Sequence, residues 1–208
     1  AVINIKGGCG KTTTAANLSH ALALAGKNID VIDMDPQGHL SACLGATGKH
    51  LKGMDTVLLD GEDINPLRTT VRENLRLVPA GEHLLDVEKS SRTPELVMRR
   101  LRYAVSERLP EDDTYRVIID TPSFPGVLYH SAIVAADEVI IPVVPDYLAL
   151  LSLSKIVEQL RKIEAEQMKT IQLWLLIGRY QPKRKLAIEV REKLMAYFPG
   201  SVFKTMIR

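Results

Sequence analysis

The sequence predicts an α/β fold, a doubly wound and mostly parallel sheet with helices on both faces. Short apolar runs alternate with segments of helical periodicity along the 208 residues, and this alternation favours a parallel sheet. Two of the apolar runs end in aspartate, a pattern typical of buried central strands. The length and the 46% hydrophobic content suit one domain, which we assign to residues 1–208 and expect to lack its C-terminal end.

The first predicted elements are a strand that ends at residue 5, a glycine-rich turn and a helix over residues 12–25. Apolar residues recur in this helix at helical spacing, and Gly26 ends it. The turn supplies the second half of the phosphate-binding pattern G-x-x-x-x-G-K-[ST], in which backbone amides and a lysine bind phosphates and a hydroxyl binds Mg²⁺. We therefore predict a nucleotide site made of Gly7, Gly8, Cys9, Gly10, Lys11, Thr12 and Thr13.

This loop departs from the common pattern at two positions. The leading glycine of the pattern would fall at position 5, which is Ile5. The loop also contains Lys6, a second lysine that phosphate binding alone does not require. The loop is therefore a specific variant of the motif.

Two further strands carry acids at their carboxyl ends, where ligands gather in open α/β sheets. The strand predicted over residues 29–35 ends with Asp33 and Asp35, and the apolar run at residues 117–119 ends with Asp120. A carboxylate at the end of a central strand is typical of a Mg²⁺ site beside a phosphate-binding loop. The other predicted strands cover residues 75–79, 139–145 and 173–177, and a further strand begins at 202–203. The other predicted helices lie within residues 84–108, 132–136, 148–166 and 186–197. Short helical pieces and loops are predicted over residues 40–74.

Composition excludes several classes of protein. No apolar run reaches 18 residues, so we predict no membrane-spanning segment. The only two cysteines, Cys9 and Cys43, have no spacing typical of a disulfide framework or a metal cluster, which favours a reducing cytoplasm.

Four segments carry a resemblance to a known family: residues 6–13, 31–38, 118–122 and 135–143. Together they resemble the ParA/MinD family of deviant Walker A ATPases, and the ParA/Soj partition ATPases are the most similar members. The resemblance implies a P-loop NTPase fold, ATP and Mg²⁺ as cofactors, and a homodimer that encloses ATP between its subunits. One departure is Ser123, which follows Pro122 where family members usually carry a second proline.

The resemblance also implies roles for single residues. Lys6 matches the signature lysine that reaches the nucleotide of the partner subunit, Lys11 binds the β- and γ-phosphates, and Asp35 orients or deprotonates the attacking water. A lysine from each subunit would neutralise the charge of a γ-phosphate buried between them. The implied catalytic residues are thus Lys6, Lys11 and Asp35, and the implied Mg²⁺ ligands are Thr12, Asp33 and Asp120.

Basic residues are concentrated in the last quarter of the chain. The formal net charge is +2, but residues 155–208 hold 12 Lys and Arg against 5 Asp and Glu, whereas the rest of the chain holds 15 against 20. Clustered basic side chains bind nucleic-acid phosphates without sequence preference. We predict a DNA-binding surface composed of Lys183, Arg184, Lys185, Arg191, Lys193 and Lys204.

The function predicted from these features is that of a slow ATPase that dimerises on ATP, binds DNA non-specifically and positions or segregates an intracellular cargo. A cargo-linked adaptor of ParB type would stimulate hydrolysis and release the dimer, and we expect a cytoplasmic, nucleoid-associated location. The alternative is a MinD-like, membrane-associated regulator of cell division or flagellar placement. That function needs an amphipathic C-terminal helix, and no such helix is visible before Arg208.

Overall fold

A mostly parallel sheet runs through the protein. The computed structural model describes residues 1–46, 52–90, 93–106 and 114–208. The strands are β1 Asn28–Asp33, β2 Thr69–Arg72, β3 Leu75–Val78, β4 Tyr115–Asp120, β5 Glu138–Val143 and β6 Gln172–Ile177. Their order is β2–β3–β1–β4 and then β5–β6, and all neighbouring pairs are parallel except β2 with β3. The predicted doubly wound α/β class is confirmed.

One bridged residue, Val2, joins the two halves of the sheet. Its amide donates to the carbonyl of Ile119 at 2.8 Å, and the amide of Ile3 donates to the carbonyl of Ile140 at 2.9 Å. The predicted first strand is thus reduced to isolated bridges, although it occupies the central position between β4 and β5. The predicted last strand is likewise one bridge, between Val202 and Leu175 of β6.

Helices cover both faces of the sheet. They are α1 Lys11–Leu24, α2 His39–Cys43, α3 Met54–Asp60, α4 Leu84–Lys89, α5 Pro94–Ser106, α6 Val127–Ala135, α7 Ala149–Gln167 and α8 Lys185–Tyr197, and a short 3₁₀ turn covers Asn65–Leu67. Because side chains alternate along a strand, neighbours in β1 belong to different cores: Val31 packs on the α1 side and Ile32 on the side of α3 to α6. A third core lies between β5, β6, α7 and α8.

Two differences from the predicted elements have physical causes. The edge strand β2 was missed, since its residues are mostly exposed threonine and arginine and carry no apolar run. The strand predicted over residues 29–35 ends at Asp33, because the Asp33 side chain accepts the amide of Asp35 at 3.0 Å and turns the chain away from the sheet. Asp35 therefore lies in the following turn.

Parts of the predicted segments 40–74 and 84–108 lie outside the described residues, namely 47–51, 91–92 and 107–108. Within the described ranges, no helix combines the length and the apolar character needed to cross a membrane.

Candidate functional site

The phosphate-binding loop connects the central bridge to α1, as its sequence predicts. Gly8 and Gly10 have φ angles of +70° and +96°, which favour glycine because a Cβ atom would be strained there. Helix α1 begins at Lys11, and no side chain of the described residues caps it, so its first amides are free to bind an anion. Cys9 is buried, and burial raises the pKa of its thiol, which disfavours the thiolate form, so the backbone is the part that can bind phosphate.

Lys11 contacts the loop that follows β4. The Lys11 side chain is buried, and its Nζ atom donates a hydrogen bond to Oγ of Ser123 at 2.6 Å. Thr12 is half-buried beside it, while Thr13 is exposed. The loop between Asp120 and α6 therefore contacts, through Ser123, the lysine that would bind the β- and γ-phosphates.

Three aspartates lie within electrostatic range of one another at the carboxyl end of the sheet. Asp33 and Asp120 are register partners at the ends of β1 and β4, and both are completely buried. Asp35 is half-buried in the next turn, where its Oδ1 atom accepts the amide of Gln37 at 3.0 Å. The structure thus brings the predicted catalytic carboxylate close to the two predicted metal ligands.

The two buried carboxylates have different surroundings. Both oxygens of Asp33 accept backbone amides, from Asp35 at 3.0 Å and from Leu40 at 3.2 Å. Both oxygens of Asp120 are buried without a hydrogen-bond partner among the described residues. Asp33 therefore shapes the turn after β1, whereas the oxygens of Asp120 are available to a ligand.

Electrostatics distinguishes these carboxylates as well. Burial raises the pKa of Asp120 to about 6, the charge of Asp35 adds to the rise, and the nearby groups of Thr12 and Lys11 oppose it. Burial, together with the charge of Asp120, raises the pKa of Asp33 to about 8. A cation at this site would remove most of the repulsion between them. Since Mg²⁺ is usually held by one or two carboxylates together with phosphate oxygens and water, an orphaned buried carboxylate beside a hydroxyl fits such an ion.

Lys6 faces a different part of the protein from Lys11. Its amide donates to Oδ1 of Asn4 at 2.9 Å, and Asn4 donates to the carbonyl of Pro142 at 2.8 Å, so β5 fixes this side of the loop. The Lys6 ammonium group forms an ion pair with Asp146, which precedes α7. Both side chains remain partly exposed, at 39% and 31%. Asp146 was not predicted from the sequence, although its position after β5, next to the central bridge, marks it as another acid at a strand end.

An exposed apolar surface adjoins this ion pair. Directly after Asp146, the side chains of Tyr147, Leu148 and Leu151 are 86%, 61% and 58% exposed. We name these three residues the α7 patch. Large apolar side chains that are exposed close together often mark interaction sites.

The predicted DNA-binding residues lie on and around α8. Five of them are exposed, namely Lys183, Arg184, Lys185, Lys193 and Lys204. Arg191 is half-buried, and its Nε atom has no hydrogen-bond partner in the part of the chain that the structure describes.

Two more arginines join these basic residues at the start of α8. Arg179, which sequence analysis did not include, and Arg208 line a cleft of about 500 Å³ together with Lys183. The signal for Arg179 was its place just after β6, at the same sheet edge as the other strand-end residues.

The chain is similar to known proteins over its full length. The family model described as "AAA domain" matches residues 1–173. The chromosome-partitioning ATPase Soj of Treponema pallidum is 34% identical over 209 residues, which cover 99% of this chain and 80% of that protein. The sporulation initiation inhibitor protein Soj of Bacillus subtilis is 31% identical and covers 100% of this chain and 82% of its own.

A solved structure shares the fold. Cobyrinic acid a,c-diamide synthase from Mycobacterium smegmatis, with bound ATP analogue and magnesium, superposes with a TM-score of 0.84 at 27% identity, and the match covers 95% of this chain and 81% of that one.

Proposed function

The chain belongs to the AAA domain family and is a ParA/Soj-type partition ATPase, and from this premise we propose that it dimerises on ATP, binds DNA without sequence preference and positions an intracellular cargo. The observation that carries the proposal is the placement of the two loop lysines. Lys11 is buried at the phosphate-binding end of α1, whereas Lys6 is partly exposed beside the α7 patch. One lysine serves the subunit's own nucleotide and the other is presented to a partner.

The active site uses ATP and Mg²⁺. Lys11 exchanges the hydroxyl of Ser123 for the β- and γ-phosphate oxygens, and the amides of residues 7–13 bind the remaining phosphate oxygens. Thr12 and Asp120 hold Mg²⁺, which when bound neutralises phosphate charge. Asp33 supports this site by fixing the turn that carries Asp35. Asp35 orients the attacking water or accepts its proton.

Dimerisation follows from the charge of the bound nucleotide. The γ-phosphates of two facing subunits would repel each other unless cations lie between them. Lys6 of each subunit leaves its pair with Asp146 and approaches the partner's γ-phosphate, while the α7 patch is covered at the same interface. The dimer is therefore stable only while ATP is bound.

DNA binding uses the basic surface around α8. Arg179 and Arg208, which line the cleft beside Lys183, add to the six predicted basic residues. A dimer doubles the number of phosphate contacts. An adaptor of ParB type, linked to the cargo, stimulates hydrolysis and so releases the dimer from the nucleoid in the cytoplasm.

Light scattering with ATP, with ADP and without nucleotide tests the dimer. We expect a dimer only with ATP, and we expect Lys6→Ala to bind nucleotide but remain monomeric. Lys89→Ala is the matched control, because Lys89 is an exposed lysine of α4 and lies outside the α7 patch. An ATP-dependent dimer of Lys6→Ala that is as stable as the wild type would contradict the proposal.

Fluorescence anisotropy on DNA of random sequence tests the basic surface. We expect binding only with ATP and a steep loss with salt, with a slope near −0.9 per phosphate contact. The double variant Lys183→Glu/Lys193→Glu should lose binding, whereas Lys162→Glu, an exposed α7 position, should retain it. ATP-dependent binding to anionic liposomes without binding to DNA would instead favour the MinD-like alternative.

A further inference from the structure

The N-terminus of α6 is capped by a side chain from another helix. Gly126 precedes α6 and offers no side chain to cap it. Glu88, near the end of α4, fills this role: its Oε2 and Oε1 atoms accept the amides of Val127 and Leu128, each at 2.8 Å. The capped and capping residues are 39 and 40 positions apart. A carboxylate that accepts two first-turn amides also interacts favourably with the helix dipole.

The close approach of Glu88 explains the glycine at position 126. A Cβ atom on Gly126 would lie 2.4 Å from both carboxylate oxygens of Glu88, well inside van der Waals contact. The φ angle of Gly126 is −118°, a conformation that any residue adopts. Space rather than backbone conformation therefore requires glycine here, and the site accommodates the Glu88 carboxylate at close range.

The contact fixes one end of the loop that touches the nucleotide site. This loop, residues 121–126, runs from Asp120 to α6. At its start, Oγ1 of Thr121 donates to the carbonyl of Val2 at 2.8 Å. At its end, Glu88 holds the first amides of α6. Between these two anchors, Ser123 accepts the hydrogen bond from Lys11.

We propose that Glu88 is a positioning residue for ATP hydrolysis. It holds the 121–126 loop so that Ser123 and the chain after Asp120 stay next to the nucleotide site when Lys11 exchanges the Ser123 hydroxyl for phosphate oxygens. Displacement of α4 would move the loop through this contact. The inference rests on the proposed ATPase function and adds to it a residue that does not touch the nucleotide.

A purely structural cap and a positioning residue predict different kinetics. A structural cap affects the stability of the fold alone. A positioning residue also affects the turnover of bound ATP, because small displacements of reacting groups lower the rate of the chemical step. Binding of ATP by the amides and lysines of the phosphate loop should change little in either case.

The test compares Glu88→Gln and Glu88→Ala with wild type. Gln keeps the size and one acceptor oxygen, and Ala removes both. At saturating Mg²⁺ and a temperature well below the thermal midpoint, we expect kcat to fall about 10-fold in Glu88→Ala and less in Glu88→Gln, with KM nearly unchanged. Glu82→Gln, an exposed acid before α4, is the charge-matched control and should match the wild type.

A second variant acts on the same contact from the other side. Gly126→Ala leaves the Glu88 carboxylate intact but displaces it, so we expect the same selective loss of kcat. Wild-type kcat in the Glu88 variants, with a lower thermal midpoint alone, would reduce Glu88 to a structural cap and overturn the inference. A wild-type chain without ATP hydrolysis would overturn the proposed function and this inference with it, an outcome distinct from the first.

Discussion

Replacing Asp120 by Asn should stabilise the protein when Mg²⁺ and nucleotide are removed. The Asp120 carboxylate is completely buried, has no hydrogen-bond partner among the described residues and lies near the charge of Asp35. Burial is the main cause that raises its pKa from 3.8 to about 6. A shift of about two units corresponds to about 3 kcal/mol of free energy lost when the folded protein ionises this group.

The sign follows from proton linkage. Because the pKa of Asp120 is higher in the folded state, the folded chain binds the proton more tightly than the unfolded chain. The ionisation of Asp120 should therefore lower the wild-type free energy of unfolding between pH 4 and pH 6 and add no further loss above pH 6, whereas the raised pKa of Asp33 lowers it further up to about pH 8. Asp120→Asn has no ionisation penalty at this position, so its free energy of unfolding should gain nothing over the wild type near pH 4 and about 3 kcal/mol at pH 8. A buried amide costs about 1 kcal/mol at every pH, and this cost is subtracted from the gain.

Urea denaturation in EDTA at pH 4.5 and pH 8 measures this difference. Glu192→Gln, an exposed acid on α8, controls for the loss of one negative charge. With Mg²⁺ and ATP the order should reverse, because the wild type keeps the Asp120 ligand for Mg²⁺ and gains more stability from the ligands than the variant does. An Asp120→Asn variant that is less stable than wild type at pH 8 in EDTA would refute the assignment of Asp120 as a buried carboxylate whose charge Thr12 and Lys11 stabilise only in part.

Two further predictions concern the loop and the turn before α4. Asp146→Asn should free Lys6 and lower the ATP concentration needed for dimerisation, measured by light scattering; an unchanged midpoint would show that the pair does not restrain Lys6. Gly81→Ala should lower the free energy of unfolding by about 3 kcal/mol in urea titrations, since φ is +85° and the new Cβ would lie 2.0 Å from the Asp55 carboxylate. Gly45→Ala is its control and should cost only about 1 kcal/mol, because φ is +73° but the new Cβ would meet no atom of the described residues within 4 Å.

Local sequence patterns predicted the elements that carry the nucleotide site. Buried parallel strands are continuous apolar runs, so the run before Asp120 identified β4 and placed this acid at its end. The phosphate-binding loop was also predicted from the sequence, because glycines and lysine at fixed spacing reflect local backbone requirements. The edge strand β2 lacked such a signal, since exposed residues can be polar at every position.

Contacts between distant residues could not be read from the sequence. Lys6 and Asp146 are 140 residues apart, and Lys11 and Ser123 are 112 apart. Only the order of strands in the sheet brings these pairs together. The partial burial of Arg191 could not be predicted either, because counting charges does not show which side of α8 packs on the sheet. The sequence shows a basic segment, but it does not show which of the basic side chains are exposed.

The bridge at Val2 has a consequence for the order of folding. The hydrogen bonds that hold the centre of the sheet join residues 119 and 138 positions apart, from Thr121 to Val2 and from Asn4 to Pro142. Closing such long loops is slow, and contacts of this kind tend to form late. Interactions formed after the transition state slow unfolding without speeding folding. The predicted nucleotide site is built on these central strands, so bound nucleotide should mainly slow unfolding and should change the folding rate little. The folding and unfolding arms of a chevron plot, measured with and without ATP, would show which rate changes.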